Sequence, residues 1–176
     1  MEEYRLVPVV TSEALEDRLK ELGAQISRDY EGKNLIVVGI LKGAFVFLAD
    51  LVRRLSLPVE VDFVRLASYG SDAETSGVVE ITKDLELPVC GRHVLVVEDI
   101  VDTGTTLAWF LDRLRTAQAE SVKVCALIDK AERRQVEVPL DYVGLSLEKG
   151  FLVGYGLDFS EKFRNLPGIY EVQFLK

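Results

Sequence analysis

Three acidic residues lie close together in the middle of the chain, beside a stretch of small and hydroxyl-bearing residues. Glu98 and Asp99 follow the apolar run 94–97, and Asp102 comes three residues later. Adjacent carboxylates at a strand end are costly unless water or a ligand matches their charge. Two acids can accept hydrogen bonds from neighbouring hydroxyls of a sugar, or they can bind a hydrated divalent cation. The acids therefore predict a site for one of these two ligands.

The residues after Asp102 have the composition of a phosphate-binding loop, and they are Thr103, Gly104, Thr105 and Thr106. If a helix begins at Thr105, this loop presents free backbone N–H groups and threonine hydroxyls at the positive end of the helix. Gly104 permits a close approach or a left-handed turn. The loop matches neither the Walker A nor the G-x-G-x-x-G pattern, and Thr103 could simply cap the helix. Together with the acids, the loop predicts a phosphorylated sugar as ligand.

The elements that position these residues alternate between strands and helices. One helix is predicted over 12–22, where Gly23 would end it, and two more follow from the apolar spacings of Phe45, Leu48, Ala49 and Val52 and of Leu107, Phe110, Leu111 and Leu114. Strands are predicted over 34–41, 59–64, 78–82, 93–100, 122–129 and 141–147. The polar stretch 68–77 reads as a mobile loop. This alternation predicts an α/β fold with a mainly parallel central sheet, whose ligands bind beyond the carboxyl ends of the strands.

Length and composition limit the classes of protein that the chain can belong to. Its 176 residues predict a single domain, and 21 basic against 29 acidic residues give a formal net charge of −8, which argues against a nucleic-acid partner. The beginning of the chain does not resemble a signal peptide, and no apolar run reaches the roughly 18 residues of a membrane-spanning helix. Cys90 and Cys125 lack metal-site spacing and are expected to be reduced. A cytoplasmic protein without a membrane partner is predicted.

The stretch VLVVEDIVDTGTTL (94–107) resembles the phosphoribosyl pyrophosphate motif of the type I phosphoribosyltransferase family, and EDIVDTG is typical of its hypoxanthine-guanine branch. Four further segments are similar to that branch, in the same order: GILKGAFVFLADL (39–51), ASYGS (67–71), ALIDK (126–130) and FLVGYGLDFSEKFRNLPGIYEV (151–172). The resemblance implies the type I phosphoribosyltransferase fold. One domain over 1–176 would carry a small hood built from the chain ends, mainly from 148–176.

The resemblance implies how the acids and the loop bind an activated sugar. Glu98 and Asp99 would hold the ribose hydroxyls, and 102–106 would bind the 5′-phosphate. Some relatives carry a basic residue where this chain has Thr105, so the backbone is expected to bind the phosphate. Asp102 would also handle the proton at purine N7, since a base becomes more nucleophilic as it loses that proton. Alternatively, Asp102 only caps a helix or binds a hydroxyl.

The resemblance also implies a site for the leaving pyrophosphate and a metal ion. Lys42 and Gly43 would contact the pyrophosphate, with Arg164 as a second cation. Asp158, together with Glu98 and Asp99, would hold Mg²⁺, which keeps part of its water shell. Without the resemblance, Lys42 and Arg164 would pass for ordinary surface residues.

Purine recognition is implied for four further residues, Lys130, Phe151, Leu152 and Asp158. Lys130 would donate to the exocyclic oxygen, Phe151 would stack on the base, and the Leu152 backbone would read its edge. On sequence alone, core packing is the commoner role for an aromatic residue. Ser68 and Tyr69 belong to the loop that would close over the reaction. His93 has no evident catalytic or metal partner and is interpreted as structural.

Taken as a whole, the resemblance implies a magnesium-dependent enzyme of purine salvage. It would transfer 5-phosphoribosyl from phosphoribosyl pyrophosphate to hypoxanthine or guanine, giving IMP or GMP and pyrophosphate, as a homodimer or homotetramer. One alternative is a preference for xanthine. Another is a regulator that binds RNA, like the pyrimidine-operon attenuator proteins, which the acidic composition and the intact Asp102 disfavour. A purely structural α/β domain would leave the carboxylates unexplained.

Overall fold

The computed structural model describes residues 3–68, 79–148 and 150–175. Along the chain the elements are β1 (Tyr4–Val10), α1 (Ser12–Asp29), β2 (Leu35–Leu41), α2 (Phe45–Val52), β3 (Glu60–Ser68), β4 (Val79–Lys83), β5 (His93–Val101), α3 (Thr105–Thr116), β6 (Ser121–Asp129), a single 3₁₀ turn (Ala131–Arg133), β7 (Tyr142–Ser146), β8 (Leu152–Val153) and β9 (Ile169–Phe174).

Six strands form the larger sheet, in the order β4-β3-β2-β5-β6-β7. Five of them are parallel, and β4 pairs antiparallel with β3 at one edge. The predicted α/β fold with a mainly parallel sheet is therefore confirmed. Since parallel strands end at the same side of a sheet, the last residues of β2, β5 and β6 share one edge, where Val101 pairs with Asp129. This carboxyl edge is where α/β folds bind ligands.

Three antiparallel strands form a second, smaller sheet in the order β1-β9-β8. It joins the first strand of the chain to the last one, with Tyr4 opposite Phe174. Leu152 of β8 lies opposite Glu171. The segment that begins at Phe151 is thereby fixed to both β9 and, through it, β1.

The larger sheet is covered on both faces, which explains the apolar runs of its central strands. Leu95 and Val97 of β5 pack in one core with α1 and α2. Val94 and Val96 of the same strand point the other way and pack with α3. The predicted face of α3 is confirmed, because all four residues that define it, Leu107, Phe110, Leu111 and Leu114, are buried.

Two helix predictions are wrong in detail. Helix α1 continues past Gly23 to Asp29, because the buried Ile26 extends its apolar face. Gly23 instead allows close packing, since a Cβ there would lie 2.8 Å from the carbonyl oxygen of Arg54. In α2 the predicted face is rotated: Phe45 is 44% exposed, whereas Phe47 is buried.

The remaining sequence predictions concern a loop, the thiols and the membrane. Of the predicted mobile loop 68–77, only Ser68 falls within the described residues, where it ends β3. Cys90 and Cys125 are free thiols, the first exposed and the second buried. Across the described ranges, no helix is long and apolar enough to cross a membrane.

Candidate active site

Glu98 and Asp99 lie within β5, which matches the predicted strand 93–100 and extends one residue further to Val101. Both side chains are partly buried. Their hydrogen bonds come from the neighbouring backbone: Asp99 N–H donates to Glu98 Oε1 (3.1 Å), and Ile100 N–H donates to Asp99 Oδ1 (2.8 Å).

The electrostatics of this pair are unfavourable in the absence of a ligand. Burial raises the pKa of Glu98 well above its usual range, and the negative charge of Asp99 adds to this effect. Burial also raises the pKa of Asp99, although hydrogen bonds and the positive charge of Arg164 act in the opposite direction. Such a pair favours ligands that bring hydroxyl donors or a cation.

The predicted phosphate loop follows directly and leads into α3. Gly104 is the N-cap residue of α3 with a φ of +83°, and no side chain caps the helix, so Thr103 does not have the capping role. A Cβ on Gly104 would lie 2.3 Å from the carbonyl oxygen of Val136, so this position requires glycine. The N–H groups of the first turn of α3 have no acceptors within the helix. A pocket of about 160 Å³ lies beside this turn, lined by Thr103, Gly104 and Thr106 together with Glu98 and Asp102.

Residues 130–136, which we call the carbonyl clamp, hold the carbonyl groups of 101–103. The bonds run from Lys130 N to Val101 O (3.0 Å), Arg134 Nη2 to Val101 O (3.1 Å), Arg134 Nε to Asp102 O (2.8 Å), and Gln135 N and Val136 N to Thr103 O (2.9 and 3.0 Å). Arg134 is itself held by Asp129 at 2.5 Å, and its side chain is only 9% exposed. With its carbonyls occupied by the clamp, the loop is left with its N–H groups available to an anion.

Asp102 has one carboxylate oxygen without a partner. Its Oδ1 is buried and accepts no hydrogen bond from the described residues. Its Oδ2 lies 3.4 Å from Arg133 Nη1. A buried acceptor without a donor is unfavourable, so Asp102 is suited to receive an N–H group from a ligand.

The turn of Lys42 and Gly43 packs against the acidic pair. It directly follows β2, and the peptide bond between Leu41 and Lys42 is cis. A Cβ on Gly43 would lie 1.7 Å from Asp99 Oδ2, so only glycine leaves room for this carboxylate. The predicted pyrophosphate turn and the predicted sugar-binding acids are thus direct neighbours.

Lys42 and Arg164 meet at one carboxylate, that of Glu161. Lys42 Nζ lies 2.6 Å from Glu161 Oε2, and Arg164 Nη2 lies 3.3 Å from Glu161 Oε1. Arg164 also pairs with Asp158 Oδ1 at 2.9 Å and donates to Gly156 O at 2.8 Å. These contacts bring the two predicted pyrophosphate-binding cations together with Asp158.

The predicted purine-binding residues converge from two parts of the chain. Lys130 follows β6, and its Nζ donates to the carbonyl oxygen of Gly150 at 2.9 Å, directly before Phe151. Phe151 is 47% exposed, whereas Leu152 is buried in β8. The ring of Phe151 stands edge-on to that of Phe159, with a centroid distance of 5.4 Å.

The other predicted residues are placed as follows. Tyr69 lies outside the described residues, and Ser68 is described only as the end of β3. His93 lies at the opposite end of β5 from the acids, with Nδ1 2.7 Å from Ser121 Oγ. In the part of the chain that the structure describes, no three His, Cys, Asp or Glu side chains cluster as a metal site.

Sequence reasoning missed two charged residues of this site, Arg134 and Glu161. Each lies in a short polar segment without helical or strand periodicity. Their positions depend on how those segments fold back onto the loop and the turn.

The comparisons with known proteins agree with this geometry. Residues 9–160 match the family model of the phosphoribosyl transferase domain. The chain is 44% identical over 175 residues to hypoxanthine phosphoribosyltransferase of Haemophilus influenzae, covering 98% of each chain. It is 45% identical over 161 residues to hypoxanthine-guanine phosphoribosyltransferase of Streptococcus pneumoniae, covering 92% of this chain and 89% of that protein. A crystal structure of a hypoxanthine phosphoribosyltransferase from Staphylococcus aureus matches with a TM-score of 0.91 at 40% identity, covering 94% of this chain and 90% of that one.

Proposed function

Because the chain belongs to the phosphoribosyltransferase family, we propose that it is a purine-salvage enzyme. It transfers 5-phosphoribosyl from phosphoribosyl pyrophosphate to hypoxanthine or guanine, giving IMP or GMP and pyrophosphate. The observation that carries this proposal is the meeting of three groups at one edge of the sheet. They are the acids of β5 with their loop, the turn at Lys42, and the purine segment at Phe151.

The acidic pair and the loop bind the sugar phosphate in this proposal. The ribose hydroxyls donate to Glu98 and Asp99, which supply acceptors that the protein leaves poorly matched. The 5′-phosphate binds the N–H groups of 103–106. Because the carbonyl clamp binds the carbonyl groups of 101–103, the backbone of the loop is held in place before the substrate arrives.

Magnesium fits the chemistry of this site. Carboxylate oxygens are the ligands that Mg²⁺ prefers, and the raised pKa of Glu98, caused by burial and by the charge of Asp99, marks a place where a cation is favoured. Glu98, Asp99 and Asp158 do not cluster as a preformed metal site in the described ranges, so they would hold the ion together with its waters and with substrate oxygens. When bound, it would neutralise charge on the pyrophosphate. Lys42, Arg164 and the backbone at Gly43 contact the same leaving group.

Asp102 handles the proton of the purine. Its buried Oδ1 has no donor among the described residues, so an N–H of the base at N7 would supply one. Taking up that proton makes the base more nucleophilic toward the sugar carbon, while water is kept out of the reaction.

The purine lies between Lys130 and the segment that begins at Phe151, near Asp158. Phe151 stacks on the ring and treats all purines nearly alike. Lys130 has donors only, so it suits a 6-oxo group and opposes the 6-amino group of adenine. The backbone of Leu152 reads the edge of the base.

We further propose that residues 1–176 act as a single domain, with a small hood that is built from the chain ends, mainly from 148–176, and that includes the smaller sheet. The enzyme is expected to be cytoplasmic and to form a homodimer or homotetramer. Light scattering of the purified protein after size-exclusion chromatography tests the oligomeric state.

The test of the proposed function is an assay of five nucleobases with phosphoribosyl pyrophosphate and Mg²⁺. We expect turnover of hypoxanthine and guanine, weaker turnover of xanthine, and essentially none of adenine. Replacement Lys130→Met should lower kcat/KM for the 6-oxopurines by about 10–100-fold, since it leaves the oxygen without its donor. Lys130→Met should also reduce the ratio of kcat/KM for hypoxanthine to kcat/KM for adenine.

Lys20→Met is the matched control, because Lys20 lies on the exposed side of α1 in an ion pair with Glu16. It should leave all five rates unchanged. Adenine turnover as fast as that of hypoxanthine would exclude Lys130 as the reader of the base, and a preference for xanthine would favour the alternative acceptor.

A further inference from the structure

Glu161 binds the same two cations that the proposed function assigns to pyrophosphate. Its two carboxylate oxygens are divided between them, Oε2 on Lys42 Nζ at 2.6 Å and Oε1 on Arg164 Nη2 at 3.3 Å. A bridging anion with an oxygen on each cation is also how a pyrophosphate would bind there.

We propose that Glu161 is an internal competitor of pyrophosphate, an inference that rests on the proposed function. The carboxylate compensates the charge of Lys42 and Arg164 when the site is free. It yields to the pyrophosphate end of the substrate and takes the cations back as the product leaves. Glu161 therefore weakens the binding of substrate and product pyrophosphate alike and promotes product release.

The exposure of the side chains makes this exchange easy. Lys42 and Glu161 are 46% and 64% exposed, and surface ion pairs of this kind are weak. Within the described ranges, Glu161 is the only acidic partner of Lys42. Arg164 is only 18% exposed and keeps its bonds to Asp158 and Gly156 when Glu161 leaves. Arg164 thus stays in place when Glu161 leaves, whereas Lys42 becomes free to bind the ligand.

The backbone around Glu161 shows that its position is imposed by the fold. The backbone φ values of Ser160, Glu161 and Phe163 are 51°, 64° and 76°. This is the left-handed region, which residues other than glycine rarely adopt. Glu161 N–H donates to Asp158 Oδ2 at 2.8 Å, and Phe159 and Lys162 exchange two backbone hydrogen bonds of 3.0 Å. Surroundings must enforce such a conformation, and here it directs the carboxylate to the two cations.

The test is Glu161→Gln, which keeps the size of the side chain and removes its charge. We expect pyrophosphate, measured by calorimetry with Mg²⁺ present, to bind about 2–5-fold tighter, the range of one surface ion pair. The KM for phosphoribosyl pyrophosphate should fall by a similar factor, and product inhibition by pyrophosphate should strengthen. In a Lys42→Met background the gain should shrink, because only the contact with Arg164 remains.

The control is Glu21→Gln, which removes a comparable pair with Arg18 on α1 and should change none of these values. If wild-type protein binds pyrophosphate and Glu161→Gln binds it equally or more weakly, Glu161 does not compete and the proposal is wrong. If wild-type protein binds neither pyrophosphate nor phosphoribosyl pyrophosphate, the proposed function itself is wrong.

Discussion

Two acidic sites of the larger sheet, Asp62 on β3 and the Glu98–Asp99 pair on β5, are treated in opposite ways by the fold. Asp62 is 6% exposed, and it accepts hydrogen bonds from three backbone N–H groups, those of Phe63 (2.7 Å), Glu86 (2.7 Å) and Leu87 (2.9 Å). Lys83 Nζ lies 3.7 Å away. Burial alone would raise the pKa of Asp62, but the N–H donors and Lys83 outweigh it, so this pKa lies below its usual value.

In the pair on β5 the compensation is too weak: one backbone N–H donates to each carboxylate and Arg164 opposes the shift at Asp99, yet burial still raises the pKa of both carboxyls. The difference separates a structural acid from one prepared for a ligand. The protein itself supplies the partners of Asp62, whereas Glu98, Asp99 and the adjacent Asp102 keep acceptors for partners from outside. Acids of the first kind should affect stability, and acids of the second kind should affect catalysis and binding.

The largest effect is expected at Asp102. Asp102→Ala removes the proposed acceptor of the N7 proton and should lower kcat by roughly 10²–10⁴, the usual contribution of a positioned acid or base. Binding of phosphoribosyl pyrophosphate, followed by calorimetry, should change much less. An unchanged kcat would place Asp102 with Asp62, among the acids that only hold the structure.

A loss of stability without a loss of catalysis is expected at Asp62. Asp62→Ala leaves three partly buried N–H groups without their acceptor and should lower the free energy of unfolding by about 3 kcal/mol at pH 7, as measured by urea denaturation. Because the pKa of Asp62 is depressed in the folded protein, its contribution is present above the unfolded value of about 3.9 and is lost as pH falls through the lower, folded value. The difference between variant and wild type should therefore shrink in acid. If Asp62→Ala has a lower kcat/KM per folded molecule than wild type, Asp62 is not a purely structural acid.

The smallest effect, of opposite sign, is expected at Glu98. Its pKa is raised by burial and by Asp99, so the ionised carboxyl destabilises the folded protein at pH values above that pKa, and the penalty fades as pH falls below it. Glu98→Gln should thus raise Tm by a few degrees at pH 8 without ligand, and by less in acid. The same variant should raise the KM for phosphoribosyl pyrophosphate. A lower Tm at pH 8 with an unchanged KM would show that the comparison with Asp62 fails.

The parts of the fold that the sequence predicts well are those with local causes. The apolar run of β5 and the spacing of Leu107, Phe110 and Leu111 in α3 directly reflect burial on both faces of a sheet and on one side of a helix. Alternation in 59–64 predicts a strand but does not reveal that Asp62 points inward. Its donors at Glu86 and Leu87 lie 24 and 25 residues away along the chain, and no local pattern indicates them.

In the candidate site, too, some residues could be predicted from local sequence and others could not. Residue types alone indicate an anion loop beside acids, and the resemblance to a family assigns roles to Lys42, Lys130 and Arg164. Arg134 and Glu161 acquire their importance through tertiary contacts, Arg134 with the carbonyls of the loop and Glu161 with Lys42, which lies 119 positions away in the sequence. A sequence pattern cannot predict a contact whose partners are set by the packing of separate segments.

The pairing of β1 with β9 has a consequence for the order in which the protein becomes functional. Arg5 and Gln173, which are hydrogen-bonded across these strands, lie 168 positions apart in the sequence. Contacts of such separation carry the greatest loop-closure entropy and tend to form late in folding. Strand β8 joins this sheet through β9. We therefore expect the purine-binding segment that begins at Phe151 to be completed last, after the parallel sheet has already positioned Glu98, Asp99 and the loop 102–106. On the ribosome, a growing chain would then acquire the shape that holds the activated sugar before it acquires the surface that accepts the purine.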